Sequence, residues 1–357
     1  CLVLLLSLFS LAGCGKENTK IGFAGCLTGT NSELGVSGMY GALLAVEDIN
    51  QAGGIKGKKL ELITKDDHGD SEAALKADKE LAQEGCVAVI GHMTSDMAEL
   101  TVPYINEKRM LMISPTIALP SLSDVDDYFF RLIPSTQEQS ERIAEEIRKQ
   151  NVKKVQIIYS EQNTVFANSI NACLIENLSG HNVGMELLGA VGVKDNPDYE
   201  EKINAIKESD ADALVIIASA DIVAGFAQSL HRVKADKTVF LPAWSMTNDL
   251  IQRGGPAVEG YYGVNFIDYD SRSEDYIRFR EKYVQKYGEE PTFASILSYE
   301  SVTVLTAAMK EAAGYRGDDL KAAILAIEKF HGLQGELSLN RFGDIDRECY
   351  LYQIRDG

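Results

Sequence analysis

Hydroxyl-bearing side chains gather at three points where a short β-branched run gives way to a turn. They are Leu27-Thr28-Gly29, Gly91-His92-Met93-Thr94-Ser95 and Ser114-Pro115-Thr116-Ile117-Ala118. In open α/β sheets such junctions sit at the carboxyl ends of strands, which is where ligands bind. Serine or threonine hydroxyls there, with the N–H groups that open a following helix, can hold a carboxylate without a full positive charge. One junction alone could be an ordinary helix cap. Three of them point to a site, with Thr94, Ser95 and Thr116 as its candidate polar residues.

Bond-making chemistry has no comparable support. The sequence lacks a GxSxG elbow, a GxxxxGK[ST] loop, an HExxH pair and a GxGxxG turn after a strand. His68, His92, His181, His231 and His331 are scattered and form no ligand pair at helical spacing. Asp66-Asp67-His68-Gly69-Asp70 lacks the spacing and distal Glu of a calcium loop, and reads as a strand-to-helix turn capped by Asp70. No metal and no cofactor is expected, and the residues offer no nucleophile–base pair for an enzyme of the doubly wound type.

The elements that must position these residues are legible from Lys20 onward. Short strands (Ile21 to Ala24, Leu60 to Thr64, Val87 to Ile90, Met110 to Ile113) alternate with amphipathic helices, as in parallel βαβ units. A helix from about Gln137 to Lys149 restarts the series, with strands at Val155 to Tyr159, Ala213 to Ile217 and Val239 to Leu241 and an extended Val183 to Leu188. Tyr261 to Val264 is one further strand. Helices at Tyr276 to Tyr287, Phe293 to Met309 and Leu320 to Phe330 are too many for it, so they are expected to pack back on the first series. Glu336 to Leu339 and Cys349 to Ile354 read as a terminal hairpin or a crossing pair.

With 357 residues the chain is long enough for two lobes. A net charge of −18 argues against nucleic acid or an anionic membrane surface as partner, since phosphate binding needs an excess of Lys and Arg. The long apolar stretch, Leu2 to Ala12, is too short to span a bilayer and reads as the core of a secretory signal over residues 1–13. Leu11-Ala12-Gly13-Cys14 resembles the bacterial lipobox, which implies cleavage before Cys14, acylation of its thiol and a polar tether over 14–20. Cys1 stands first without Met or a basic stretch, so the sequence is read as a truncated precursor. Cys86 and Cys349 read as buried thiols. A disulfide among Cys26, Cys86, Cys173 and Cys349 stays open, at widely scattered positions.

The whole mature chain resembles the solute-binding proteins of branched-chain amino acid ABC transporters, the leucine/isoleucine/valine-binding type with periplasmic-binding fold type I. The resemblance rests on Leu27-Thr28-Gly29, Ala45-Val46-Glu47-Asp48-Ile49-Asn50 with Gly53-Gly54-Ile55-Lys56-Gly57, and Asp66-Asp67. It continues through Val89-Ile90-Gly91-His92, Ile113-Ser114-Pro115-Thr116, Gly254-Gly255 with Val258-Glu259-Gly260, and Gly343-Asp344. It implies an α/β chain of two doubly wound lobes, joined by three hinge crossings and closing on a ligand. Lobe 1 would comprise 21–134 plus 265–336, and lobe 2 would comprise 135–264 plus 337–357. It also implies an exported, membrane-anchored receptor that delivers an amino acid or related small carboxylate to a membrane permease.

In that frame Ser95 and Thr116 would hold the ligand's carboxylate. The sequence departs from the amino-acid pattern at Ala118, where relatives often carry Thr, and at Trp244, where they carry an acid for the ammonium group. Leu34 and Ala220 fall where aromatics are usual, and Phe166 retains one. A buried ammonium without an anionic partner costs on the order of several kcal/mol. Asp221 can supply that partner if it points into the cleft. Otherwise the ligand is a carboxylate or amide with an apolar or aromatic body, enclosed by Trp244, Phe166 and Phe266. Trp244 can equally be core packing. A ligand sensor of the same fold, acting with a signalling partner, is the alternative reading.

Overall fold

The computed structural model describes residues 17–29, 31–179, 185–194 and 198–356. The expected leader, the expected acylation site Cys14 and the start of the expected tether lie outside the described residues, as do the first residues of the extended stretch expected from Val183.

The strand β1 (Thr19–Gly25) pairs in parallel with β2 (Leu60–Asp66) on one side and β3 (Ala88–Gly91) on the other. Its core residues Ile21 and Phe23 are fully buried, as a strand covered on both faces requires. With β4 (Leu111–Ser114) and β5 (Phe129–Arg131) they make a five-stranded parallel sheet ordered β2-β1-β3-β4-β5. The connections are α1 (Ser32–Gln51), α2 (Ser71–Gln83) and α3 (Ala98–Lys108). Asp70 caps α2, its carboxylate accepting the Ala73 N–H at 2.8 Å.

The second series runs α4 (Thr136–Lys149), β6 (Lys154–Ser160), α5 (Thr164–Ser179), β7 (Glu186–Val193), α6 (Tyr199–Glu208) and β8 (Ala213–Ile217). It continues with α7 (Ala220–Arg232), β9 (Thr238–Leu241), α8 (Asn248–Gly254) and β10 (Tyr262–Asn265). The chain then goes back to the first sheet as α9 (Glu274–Tyr287), α10 (Phe293–Glu311) and α11 (Gly317–Ala326). At the crossing of α1 and α10 the backbones touch: a Cβ on Gly41 would lie 1.9 Å from the Ser295 carbonyl oxygen.

The C-terminal part differs from expectation. The helix expected over Leu320 to Phe330 ends at Ala326, and Phe330 instead pairs with Leu337. The strands β11 (Phe330–His331), β12 (Glu336–Leu339) and β13 (Ile345–Asp346) form a small antiparallel sheet. Glu336 to Leu339 is therefore no hairpin partner of the last strand, β14 (Tyr350–Gln353). That strand lies antiparallel to β10 and completes the second sheet, ordered β14-β10-β9-β8-β6-β7. A boundary at residue 336 would cut β12 at its first residue; the chain rejoins the second sheet only at Tyr350.

Three connections join the lobes: between β5 and α4, between β10 and α9, and between β13 and β14. Buried Arg131, at the first, donates from Nε to Asp344 Oδ1 (2.7 Å) beside the third. Arg347, on the third, pairs with buried Glu300 of α10. Cys26, Cys86, Cys173 and Cys349 are free thiols, and Cys349 is half-buried where the sequence suggested a buried one.

Candidate functional site

The carboxyl ends of β1, β3 and β4 face the ends of β6, β8 and β9 across the interlobe cleft. The loop after β3 is fixed by a buried charge cluster. His92 Nδ1 lies 2.7 Å from Asp67 Oδ2, and its Nε2 lies 3.2 Å from Asp78 Oδ1. Burial opposes a charge on this imidazole, but the carboxylates of Asp78 and Asp67 outweigh it and push its pKa up to about 10. His92 is thus an imidazolium at neutral pH, donating from both nitrogens. Its carbonyl accepts the Ser114 hydroxyl at 2.9 Å, which ties the β3 loop to the β4 loop.

Thr116 Oγ1 donates to the Met93 carbonyl at 2.6 Å, so toward a ligand its hydroxyl can only accept. The Ser95 N–H donates to Asn163 Oδ1 at 3.1 Å. In return Asp96 caps the start of α5 from the other lobe, accepting the Thr164 N–H at 3.0 Å and the Val165 N–H at 2.8 Å. Two further bonds cross the cleft: the Thr247 hydroxyl donates to Glu33 Oε2 at 2.8 Å, and Asn248 Nδ2 donates to the Glu290 carbonyl at 2.6 Å. The lobes are closed on one another.

Closure leaves two compartments that share Leu34 and Trp244 as walls. The inner one, about 20 Å³, is lined by Ser95, Thr116, Gln139, Asn163, Phe166 and Phe293 among others. The outer one, about 340 Å³, is lined by Glu33, Ser219, Ala220, Asp221, Asp249 and Arg253 among others. Trp244 is 6% exposed, and its ring meets Phe166 edge-on with centroids 5.8 Å apart. Asp221 sits in the first turn of α7 and accepts the Ser219 hydroxyl at 2.5 Å. Burial pushes the Glu33 carboxyl up to about 7, against the opposing hydrogen bond from Thr247. Arg253 is tied to Asp249 at 2.9 Å, so the carboxylates of Glu33 and Asp221 dominate the outer wall.

Of the residues singled out in the sequence, Ser95, Thr116, Phe166 and Trp244 meet in the inner compartment, and Ala220 and Asp221 line the outer one. Thr94, Ala118 and Phe266 line neither. Thr94 is buried on extended backbone immediately before the short 3-10 turn that Ser95 opens. Ala118 contributes its backbone, with its carbonyl accepting the Thr136 N–H at 2.7 Å. Phe266 is 1% exposed and packs in the core where the chain leaves β10. Sequence reasoning missed Met93, Gln139, Asn163 and Phe293. Gln139 did leave a signal, an amide on the buried stripe of α4 that carries Thr136, Ile143 and Ile147. Asn163 directly precedes a helix, a position favoured for capping residues.

Two doubly wound lobes closing on a cleft with a hydroxyl-bearing wall and an aromatic wall define a receptor for a small solute. A family model described as "Periplasmic binding protein" matches residues 18–357, and the chain belongs to that family, whose members bind solutes and are not enzymes. The Leu/Ile/Val-binding protein of Escherichia coli (strain K12) is 32% identical over 123 residues, a match covering 34% of this chain and 32% of that protein. The match thus spans about a third of the curated relative's length. Among solved structures, the branched-chain amino acid transporter substrate binding protein LivJ from Streptococcus pneumoniae, in complex with isoleucine, superposes with a TM-score of 0.86 at 24% identity. That superposition covers 95% of this chain and 96% of the other. A solute binding protein of an ABC transporter from Rhodopseudomonas palustris BisB5, in complex with 3,4-dihydroxybenzoic acid, gives 0.85 at 21% identity, covering 95% and 93%. Both likenesses establish the fold. Among the described residues no helix is long and apolar enough to cross a membrane.

Proposed function

We propose that this chain is an extracytoplasmic solute-binding lipoprotein of an ABC importer, which captures an amino acid or related small carboxylate by hinge closure and delivers it to a membrane permease. The observation that carries this reading is the closed cleft, in which Ser95 and Thr116 of one lobe face Phe166 and Trp244 of the other. The Ser95 hydroxyl can donate to a carboxylate, while the Thr116 hydroxyl, its proton held by the Met93 carbonyl, can only accept from the ligand; the aromatic pair suits an apolar or aromatic body. Asp221 on the outer wall supplies an anionic partner for an ammonium group in place of the acid that Trp244 replaces. The relatives that bind isoleucine and 3,4-dihydroxybenzoic acid bracket the same range of ligands. Anchoring through acylated Cys14 is supported by Leu11-Ala12-Gly13-Cys14 behind its apolar leader.

The test uses the chain's single tryptophan, Trp244, as the reporter. Leucine, isoleucine, benzoate and 3,4-dihydroxybenzoate are titrated while its emission and the melting temperature are followed, since a ligand bound only to the native state raises the latter. Stabilisation by leucine that Asp221→Ala abolishes identifies Asp221 as the ammonium partner. If none of the four shifts either signal, the capture reading is wrong. Acyl label on the expressed full-length precursor, lost in Cys14→Ser, tests the anchor.

A further inference from the structure

We infer that Gln139 donates a hydrogen bond to an acceptor oxygen of the ligand in the inner compartment, and that it couples this contact to the position of Trp244. The inference rests on the capture reading above and names the group that reads the ligand's polar end.

Gln139 is fully buried in the first turns of α4 and lines the inner compartment. Its Oε1 accepts the Ala243 N–H at 3.0 Å, which fixes the orientation of the amide. Nε2 therefore keeps two buried N–H donors on a residue that lines the compartment, and among the described residues it has no partner. Buried side-chain donors are rarely left unmet in native proteins. A role confined to holding the backbone at Ala243 would need only the oxygen, so it leaves the nitrogen unexplained.

The neighbouring groups decide what the ligand must offer. The Thr116 proton is committed to the Met93 carbonyl, and Asn163 Oδ1 already receives the Ser95 N–H. Gln139 Nε2 is thus an uncommitted donor on a residue that shares the compartment with Ser95, and a carboxylate or amide oxygen satisfies it where an ammonium would not. The other end of the same amide holds Ala243, the first residue of the short 3-10 turn that carries Trp244. One side chain therefore spans from the ligand's oxygen to the aromatic wall.

Two variants separate this from a purely structural role. Gln139→Glu keeps an acceptor for the Ala243 N–H but replaces the donor with oxygen, whereas Gln139→Met loses the acceptor and leaves no charge. The intact mature chain is titrated with leucine and with 3,4-dihydroxybenzoate, with Trp244 emission for affinity and thermal melts as the folding control. We expect Gln139→Glu to weaken binding by about a hundredfold at pH 8 and Gln139→Met by about tenfold. Binding to Gln139→Glu should recover as the pH falls, because a protonated carboxyl regains one donor. A structural role predicts the reverse order, with Gln139→Glu close to the parent. Binding by Gln139→Glu within about twofold of the parent at pH 8 overturns the inference while leaving the capture reading intact. Failure of the parent itself to bind either probe overturns both.

Discussion

Asp96 offers the sharpest test of how closure is held. Its two carboxylate oxygens accept the Thr164 and Val165 N–H groups at 3.0 and 2.8 Å, while Asn163 of the other lobe accepts the Ser95 N–H at 3.1 Å. Each lobe thus caps the start of a helix, or of the turn leading to one, in its partner. These bonds exist only while the cleft is shut; on opening, all the groups return to water. A cap is worth about 1 kcal/mol, and a negative charge at a helix N-terminus adds about 0.3–1 kcal/mol. Burial, which raises the Asp96 carboxyl pKa above its ordinary value despite these bonds, takes some of that back. Asp96→Ala should therefore cost the closed form about 1–2 kcal/mol, shifting the closed-to-open ratio by roughly five- to thirtyfold. A ligand held only by the closed form inherits that factor in its apparent dissociation constant. Calorimetry gives the affinity and small-angle scattering the degree of closure, and Asp96→Asn, which keeps one acceptor, should fall between. An Asp96→Ala variant with unchanged affinity and unchanged radius of gyration would refute the reasoning.

Three further outcomes follow from other parts of the molecule. Burial raises the Glu33 carboxyl to about 7 in the closed cleft, and opening, which returns it to water, should bring it back toward its ordinary 4.5. Its contribution to closure is fully present below about 4.5 and lost as pH rises through about 7, so affinity should fall from pH 5 to 8 and Glu33→Gln should flatten the profile. His92, raised to about 10, contributes stability that is complete below its ordinary 6.5 and is lost as pH rises through about 10. His92→Gln strands Asp67 and Asp78 and should cost about 3–5 kcal/mol in urea unfolding. Gly41→Ala drives a methyl group against the Ser295 carbonyl, and overpacking of about 1–3 kcal/mol should lower the melting temperature.

The alternation of strands and helices was legible because strands buried on both faces must be continuous β-branched runs, as in Ala213–Ile217. Segments too short to show a period were not: β5 has three residues and α8 has seven. At the site, Ser95 and Thr116 could be found because strand ends are fixed points of this architecture. What the sequence withholds is direction. Phe266 and Trp244 both follow strands and both join the core, yet only Trp244 also lines the cleft. Thr94 and Ser95 are neighbours, yet only Ser95, which opens a short 3-10 turn, lines the compartment. His92 looked isolated because its partners stand 25 and 14 residues away, at no motif spacing. Phe293 reaches the cleft from α10, nearly 200 residues beyond Ser95, and no local pattern announces it.

The interleaving of the two sheets has a consequence for how the molecule comes into being. During synthesis, the first half of the nascent chain supplies all five strands of the first sheet but lacks α10, the helix that covers α1. The second sheet waits longer still, for β14 at Tyr350–Gln353. Neither lobe is complete when the ribosome has delivered three quarters of the sequence, and loop closure over such separations is slow. Each lobe therefore depends on segments made late: a fragment ending at Asn265 completes neither, because the first still lacks α9 to α11 and the second still lacks β14.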